Sequence, residues 1–302
     1  MALMTATISA PSLLMPRRLD RALLRRRHWK SRIMVALIGL CALIAMIPLF
    51  AVFFHTVREG LPSLSLAFFT EAPVPIGDPG GGMGNCILGS LILIALASAV
   101  AVPIGIFGGV YLSEYGTGKI AGLFRWIVDL LSSLPSIVVG LYVYAVVVAP
   151  MKSFSAHAGG IALALLMTPI VIKTTEEVLK LMPQHVREAG LALGLSRWRV
   201  IIYVVLKGRI PAVTTGVVLA LARIAGETAP LLVTSFGNRN WPRSLSEPTA
   251  SLPVQIYNYA ISPYNEWHHH AWAGALSLVA LIFAINLAAR SLTRRDASQR
   301  GF

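Results

Sequence analysis

Six apolar stretches alternate with polar segments along the chain, and each is close to the length of a membrane-crossing helix. Such a helix needs about 20 predominantly apolar residues. The fourth stretch has only 15 residues, so we expect it to begin earlier or to be partly re-entrant. The pattern predicts an all-α polytopic membrane protein with six transmembrane helices, at Ile33–Phe54, Ile87–Leu112, Ile127–Ala149, Ala158–Ile172, Ile210–Ser235 and Ala271–Ala289.

Composition supports this class. Of the 302 residues, 56% are hydrophobic and 13% are charged, whereas a soluble domain averages about 25% charged residues. The two cysteines, Cys41 and Cys86, provide no disulfide framework. Residues 55–85 are rich in proline and glycine, which predicts an irregular loop.

The net charge of +13 would suit either nucleic-acid binding or membrane orientation. With six spans, 21 of the 26 Lys and Arg residues fall on one side of the membrane, four fall on the other, and Arg223 lies within a span. Basic residues are enriched in cytoplasmic loops, so both termini are expected in the cytoplasm. Without the short fourth span, the loop with seven basic residues would face outward. The distribution favours orientation over nucleic-acid binding.

The fifth stretch contains two charged residues, Arg223 and Glu227. An ionised side chain inside a bilayer is costly and usually marks a pathway or a partner contact. On a continuous helix, residues four apart share one face. The pair therefore predicts either a self-neutralising ion pair or a functional site.

The polar segment Thr174–Arg209 is predicted to form two helices that meet at a glycine corner. Thr174–Glu177 is typical of a helix start, and Pro183 suits the first turn of a new helix. Gly194 would end that helix in a left-handed turn, and Ser196 could cap the next one. Two interpretations remain open: a lever for a soluble partner, or an amphipathic helix that rests on lipid.

The same segment resembles a known motif. Glu188-Ala189-x4-Gly194 is similar to the EAA loop of ATP-binding-cassette importer permeases. Gly190 stands where the general pattern has a second alanine, and Lys207 replaces a proline. Four further segments resemble the phosphate-importer branch of that family more specifically: Gly109–Gly116, Pro135–Leu141, Ala222–Leu232 and Leu252–Gly274.

The resemblance implies a multi-pass permease subunit of a bacterial inner-membrane, ATP-driven inorganic phosphate importer. It divides the chain into a basic cytoplasmic segment at 1–32, the first transmembrane helix at 33–54, a periplasmic loop at 55–85, a type-1 permease domain at 86–290 and a cytoplasmic tail at 291–302. The expected partners are a second permease subunit, two ATP-binding subunits and a periplasmic phosphate-binding protein. We expect no bound cofactor and no enzymatic activity, because the chain has no Walker A motif and a partner would use the ATP.

The resemblance also implies roles for particular residues. Arg223 would bind phosphate in the pathway, since a guanidinium offers paired donors to phosphate oxygens. Glu227 would hold Arg223 between transport events or help to release the anion. Lys173 would receive phosphate on the inner side or, alternatively, snorkel to the interface. The residues expected to couple to the ATPase are Glu188, Ala189, Gly190 and Gly194.

Three alternatives remain. The chain could serve an importer of another oxyanion, or it could be a passive anion channel, which would not explain the elaborate polar loop. A membrane enzyme would need a nucleophile–base pair or metal ligands within the spans, and the sequence has no His-Glu-x-x-His motif and no histidine within a span. The consecutive residues His268, His269 and His270 are expected to be a solvated cluster rather than a metal site.

Overall fold

The computed structural model describes residues 21–75 and 80–298, with side chains described at 25–75 and 80–291. These residues form helices and connecting segments, and they contain no β-strand. The helices are α1 Arg21–Gly60, α2 Leu66–Thr70, α3 Gly84–Glu114, α4 Lys119–Ser133, α5 Ser136–Val143, α6 Ala149–Met151, α7 Ala156–Lys180, α8 Gln184–Ala192, α9 Arg197–Arg199, α10 Lys207–Ala225, α11 Ala229–Thr234, α12 Leu252–Ala260 and α13 Asn265–Ser298.

Short irregular helices join some of these elements. A 3₁₀ turn, Leu61–Ser63, follows α1. π-helical turns at Tyr144–Val148 and Val200–Leu206 continue α5 into α6 and α9 into α10. The segment from Arg197 to Ala225 is therefore one helical rod with a π-bulge.

The first compact unit ends at His55 and consists of most of α1. The predicted first span, Ile33–Phe54, lies inside this 40-residue helix. At 1.5 Å per residue, α1 is about 60 Å long, whereas the hydrocarbon core of a bilayer is about 30 Å thick. The helix is thus long enough to cross the membrane and to extend beyond it.

The second unit, from Thr56 onwards, is organised around α3 and α7. Glycines let the two helices approach closely: a Cβ at Gly105 would lie 2.5 Å from Val171 Cβ, and one at Gly109 would lie 2.6 Å from Thr175 Cβ. At the opposite end of the pair, a Cβ at Gly160 would meet Leu96. In these contacts, higher residue numbers of α3 meet higher residue numbers of α7, so the two helices run parallel.

Parallel packing decides the number of crossings. Among the described residues, five helices are long and apolar enough to span a membrane, and α4 with α5 and α6 forms a sixth candidate that is bent by 100°. Because α3 and α7 point the same way, the chain between Tyr115 and Ser155 must return across the membrane. Counted as one crossing, the bent pair gives six candidate spans, which agrees with the expected six.

The fourth span begins earlier than Ala158, as expected, and it is longer than the predicted 15 residues. It runs from Ala156 to Lys180 and begins where the Ser155 hydroxyl accepts a hydrogen bond from the Ala158 N–H. The prediction of a new helix start at the end of this span was wrong. Thr174–Glu177 does not start a new helix, because it lies inside α7. Glu176 binds Lys180 one turn later at 2.7 Å, which favours continuation of the helix.

The opposite end of α3 anchors a loop. The fully buried side chain of Asn85 donates hydrogen bonds to the carbonyl oxygens of Asn238 at 2.9 Å and Arg239 at 3.1 Å. Residues 55–75 also contain more helix than expected, since α1 continues to Gly60 and α2 is capped by the Ser65 hydroxyl. The connection from α1 to α3 therefore contains helical structure, and the loop between α11 and α12 is held by hydrogen bonds to Asn85.

Candidate functional site

The third span breaks in its middle, which corrects the prediction of one helix over Ile127–Ala149. α4 ends at Ser133, Leu134 is extended with φ −66° and ψ 135°, and α5 begins at Ser136. The residue before a proline is disfavoured in helical geometry, so Pro135 forces the break after Leu134. The chain turns by 100° at this point.

The fifth span breaks as well, which corrects the prediction of one helix over Ile210–Ser235. α10 ends at Ala225 and α11 begins at Ala229. Pro230 lacks an N–H, and its ring would clash with the carbonyl group four residues earlier. Glu227 therefore lies in the break, and its spacing from Arg223 does not place the two on one helix face.

The two breaks meet at one cavity of about 260 Å³. The chain around the break between α4 and α5 contributes three serines and a proline, and α7 contributes an apolar wall. Arg223 comes from the end of α10, and Glu227 comes from the break between α10 and α11. The lining includes Ser133, Pro135, Ser136, Leu166, Arg223 and Glu227. The predicted residues Arg223 and Glu227 are thus brought to the same cavity, although by a different geometry.

The charges at this cavity are separated. Arg223 is exposed and Glu227 is partly buried. Among the described side chains, the two form no ion pair within 4.0 Å. The interpretation as a self-neutralising pair is therefore wrong for this conformation, and the guanidinium donors of Arg223 are available to a ligand.

The serine residues add hydrogen-bonding capacity. The Ser133 hydroxyl donates to the Leu130 carbonyl oxygen at 2.8 Å, which leaves its lone pairs as acceptors. Ser136 lies at the start of α5, where the first N–H groups have no partner within the helix. The cavity thus combines the Arg223 cation and neutral polar groups with the Glu227 carboxylate, so an anion bound at the guanidinium would be opposed by Glu227. These serines were not among the predicted site residues, although the run Ser-Ser-Leu-Pro-Ser indicates a break.

Lys173 lies on a different part of α7 and is absent from the residues that line the cavity. Its ammonium group binds the Asp129 carboxylate of α4 at 2.8 Å, and both side chains are at least one-third exposed. The structure therefore assigns Lys173 an ion-pair partner that the sequence did not predict. It does not bring Lys173 to Arg223 and Glu227.

The polar loop has the predicted shape. α8 begins directly after Pro183, and Gly194 ends the corner with φ +79°. Ser196 occupies the cap position of α9, but its side chain makes no capping hydrogen bond. α8 and the following rod therefore meet at a glycine corner.

The four predicted coupling residues differ in exposure. Glu188, Ala189 and Gly194 are exposed, whereas Gly190 is buried. A Cβ at Gly190 would lie 3.0 Å from a methyl carbon of Val200. Glycine in place of the usual alanine thus allows α8 to pack closely on the start of the rod.

A second cavity of about 260 Å³ lies beside α12. Asn238, Arg239 and Asn258 line it together with Tyr259. Burial raises the pKa of the Tyr259 hydroxyl, and its ring stacks on Trp267 with centroids 4.8 Å apart. None of the predicted site residues is found there, so this cavity does not belong to the candidate site.

The histidine cluster is engaged in local contacts. A ring nitrogen of His268 lies 2.6 Å from the Ser262 carbonyl oxygen, and the His270 ring stacks on Phe68. Within residues 21–75 and 80–298, no group of three or more His, Cys, Asp or Glu side chains is arranged to hold a metal ion.

Comparison with known proteins identifies the class. Residues 101–296 match the family model of the binding-protein-dependent transport system inner membrane component. The fold resembles solved ABC importers: the MetNI methionine transporter (TM-score 0.56, 17% identity, 71% of this chain and 94% of that chain) and an importer of the acidic polysaccharide alginate (TM-score 0.64, 14% identity, 90% and 98%). The chain therefore belongs to this family of transport-system membrane subunits.

Curated relatives indicate the branch of the family to which the chain belongs. The phosphate transport system permease protein PstA of Yersinia pestis is 48% identical over 87% of this chain and 90% of its own length. The PstA of Haemophilus influenzae is 39% identical over 88% and 95%, and a probable PstA of Methanocaldococcus jannaschii is 34% identical over 89% and 96%. Within its family, the chain groups with the PstA permeases.

Proposed function

We propose that this chain is the membrane-spanning subunit of an ATP-driven inorganic phosphate importer and forms half of the translocation pathway. One observation carries the proposal: Arg223, the hallmark cation of the fifth span, is exposed at a cavity where two spans break. The substrate is inferred from the PstA relatives, which are phosphate transport permeases.

In this mechanism, phosphate enters the cavity and binds the Arg223 guanidinium, whose planar paired donors match two phosphate oxygens. Ser136 would add a neutral hydrogen bond. Glu227, which faces the same cavity, would compete with phosphate for Arg223 and help to release it. Lys173 would receive the anion on the inner side, where phosphate would displace Asp129.

The pathway requires a second permease. Arg223 is the one Lys or Arg residue among those that line this cavity, and it is exposed on the isolated chain. A partner of the PstC type would cover it and complete the site. A PstS-type periplasmic phosphate-binding protein would deliver the substrate.

ATP would be hydrolysed by two PstB-type subunits, so this chain would bind no cofactor and perform no chemistry itself. The exposed residues Glu188 and Ala189 of α8 would contact one ATPase, and the Gly194 corner would set the angle of α8. ATP-driven closure of the ATPases would move α8 and switch the cavity from outward to inward access.

The membrane orientation follows from charge. The chain is a multi-pass protein of the bacterial inner membrane, and both termini are proposed to be cytoplasmic. This orientation places 21 of 26 Lys and Arg residues on the cytoplasmic side. It also places α8 on the side where ATP is present.

The experiment is uptake of labelled phosphate into proteoliposomes that contain the complete complex, with and without ATP. We expect uptake to require ATP and the binding protein. Uptake without ATP would indicate a passive channel, and stronger uptake of another oxyanion, such as sulfate, would indicate a different substrate.

Replacement of Arg223 by alanine should lower phosphate uptake while the complex still assembles. Loss of charge-assisted hydrogen bonds worth about 1.5–3 kcal/mol corresponds to roughly a 10- to 150-fold decrease. Arg209→Ala is the matched control, because it removes an arginine from the same helix about 21 Å along its axis. Equal uptake by the Arg223→Ala variant and the wild type would refute the assignment.

A further inference from the structure

Three arginines from three different helices converge on the C-terminal end of α3. Arg125 of α4 donates to the Leu112 carbonyl oxygen at 2.7 Å, and Arg197 of α9 donates to that of Glu114 at 2.6 Å. Arg187 of α8 binds the Glu114 carboxylate at 2.7 Å. The last carbonyl groups of a helix lack intrahelical partners and carry the negative end of its dipole. We call Glu114 and the three arginines the arginine hub.

Arg187 has the most extensive contacts in the hub. Its Nε and Nη2 atoms donate to both carboxylate oxygens of Glu114. Nη2 also donates to the Leu179 carbonyl oxygen at 2.9 Å, and Nη1 donates to that of Met182. One guanidinium therefore joins α8 to the C-terminal ends of both α3 and α7.

This contact is largely shielded from solvent. The Glu114 side chain is 7% exposed and that of Arg187 is 22% exposed. Removal of one partner from a buried charge pair leaves the other charge uncompensated, so such a pair holds its elements in one geometry. Glu114 also sits at a helix C-terminus, where a negative charge is unfavourable without a cation.

The helices tied together by Arg187 lead to the candidate site. α7 passes from Leu179 at the hub to Ile170, which lines the Arg223 cavity. The separation of nine residues corresponds to about 14 Å along the helix. α3 follows α7 as one body, because Gly105 and Gly109 bring the two backbones into close contact.

Arg125 forms a second connection between helices in the arginine hub. Arg125 binds the Glu176 carboxylate of α7 at 2.7 Å in addition to the end of α3. It therefore ties α4 to the α3–α7 pair. α4 continues to Ser133 at the cavity, so two walls of the cavity are connected to the hub.

We propose that Arg187 is the joint through which displacement of α8 moves α3 and α7 as one body and reshapes the cavity at Arg223. The proposal rests on the proposed function, in which an ATPase displaces α8. Arg187 is then a positioning residue for transport: it contacts neither phosphate nor ATP, and it transmits movement between their sites.

The test uses the complete complex in proteoliposomes, with ATP hydrolysis and phosphate uptake measured on the same vesicles. We expect Arg187→Met to keep ATP hydrolysis near the wild-type rate and to lower uptake per ATP hydrolysed by about tenfold or more, the factor that loss of one charge-assisted hydrogen bond represents. Arg199→Met is the matched control. Arg199 belongs to the same loop, and its described contact is with the ring of the adjacent Trp198.

Two further variants separate transmission from folding. Glu114→Gln removes the ion pair from the α3 side and should also lower uptake per ATP. Arg187→Lys should recover part of the coupling, because an ammonium group can bind Glu114 but cannot reproduce the guanidinium fork. If Arg187→Met fails to assemble, Glu114→Gln decides the question.

Unchanged uptake per ATP in both Arg187→Met and Glu114→Gln would overturn the proposal. A proportional loss of hydrolysis and uptake would also overturn it, because Arg187 would then only stabilise the fold. A wild-type complex that hydrolyses ATP without moving phosphate would instead contradict the proposed function. The two failures are thus distinguishable.

Discussion

The close contact between α3 and α7 can be tested by adding a single methyl group. We expect Gly109→Ala to destabilise the protein, because the new Cβ would lie 2.6 Å from Thr175 Cβ and 2.8 Å from the Ile172 carbonyl oxygen. The carbonyl belongs to helix backbone and cannot move without distorting α7.

Overpacking of this kind costs about 1–3 kcal/mol. For a chain of this size, each kcal/mol shifts the unfolding temperature by about 2–4 °C. Gly109→Ala should therefore lower the unfolding midpoint of the purified protein by roughly 2–12 °C. The assay is thermal unfolding in detergent, followed by intrinsic tryptophan fluorescence.

Gly122→Ala is the matched control, since a Cβ at Gly122 has nothing within 4 Å. Replacement of an interior helical glycine by alanine stabilises by about 0.5–1 kcal/mol, so this variant should unfold at the wild-type temperature or slightly above it. If Gly109→Ala and Gly122→Ala unfold at the same temperature, the two helices do not approach as closely as described. α3 and α7 would then not be expected to move as one body.

Two other predictions concern the polar loop and the inner end of the pathway. Gly194→Ala should lower uptake per ATP, because a φ of +79° costs a non-glycine residue about 1–2 kcal/mol. Gly118→Ala is the control, since Gly118 has a φ of +87° and lies outside the loop. Equal effects of the two substitutions would exclude a role of the corner in coupling. Asp129→Asn should leave thermal stability nearly unchanged, since exposed ion pairs contribute about 0–1 kcal/mol, but should lower the maximal uptake rate because uncompensated Lys173 would retain phosphate longer. A wild-type maximal rate would remove Lys173 from the pathway.

The local pattern was sufficient for several features of the fold. A continuous apolar run specifies a span whatever surrounds it, because the backbone must satisfy its hydrogen bonds within the segment. The first, second and sixth spans were therefore predicted within longer observed helices. The glycine corner at Gly194 was also predictable, since glycine adopts a positive φ without steric cost.

The helix breaks were only partly predictable. The sequence places Pro135 and Pro230 within two spans, but a proline can either bend a membrane helix or end it, depending on which neighbours satisfy the freed carbonyl groups. The break at Gly226–Thr228 removed Glu227 from the helix. For that reason Arg223 and Glu227 do not share a helix face, although they are four residues apart.

The sequence by itself determined the class of fold, the six crossings and the presence of one arginine within the fifth span, because these follow from segment length, hydropathy and charge. Only the tertiary structure decided which residues meet: Glu114 with Arg187, and Asp129 with Lys173. Such pairs join segments far apart in the chain: α8 meets the end of α3 in one of them, and α4 lies against α7 in the other. Local periodicity contains no information about these contacts.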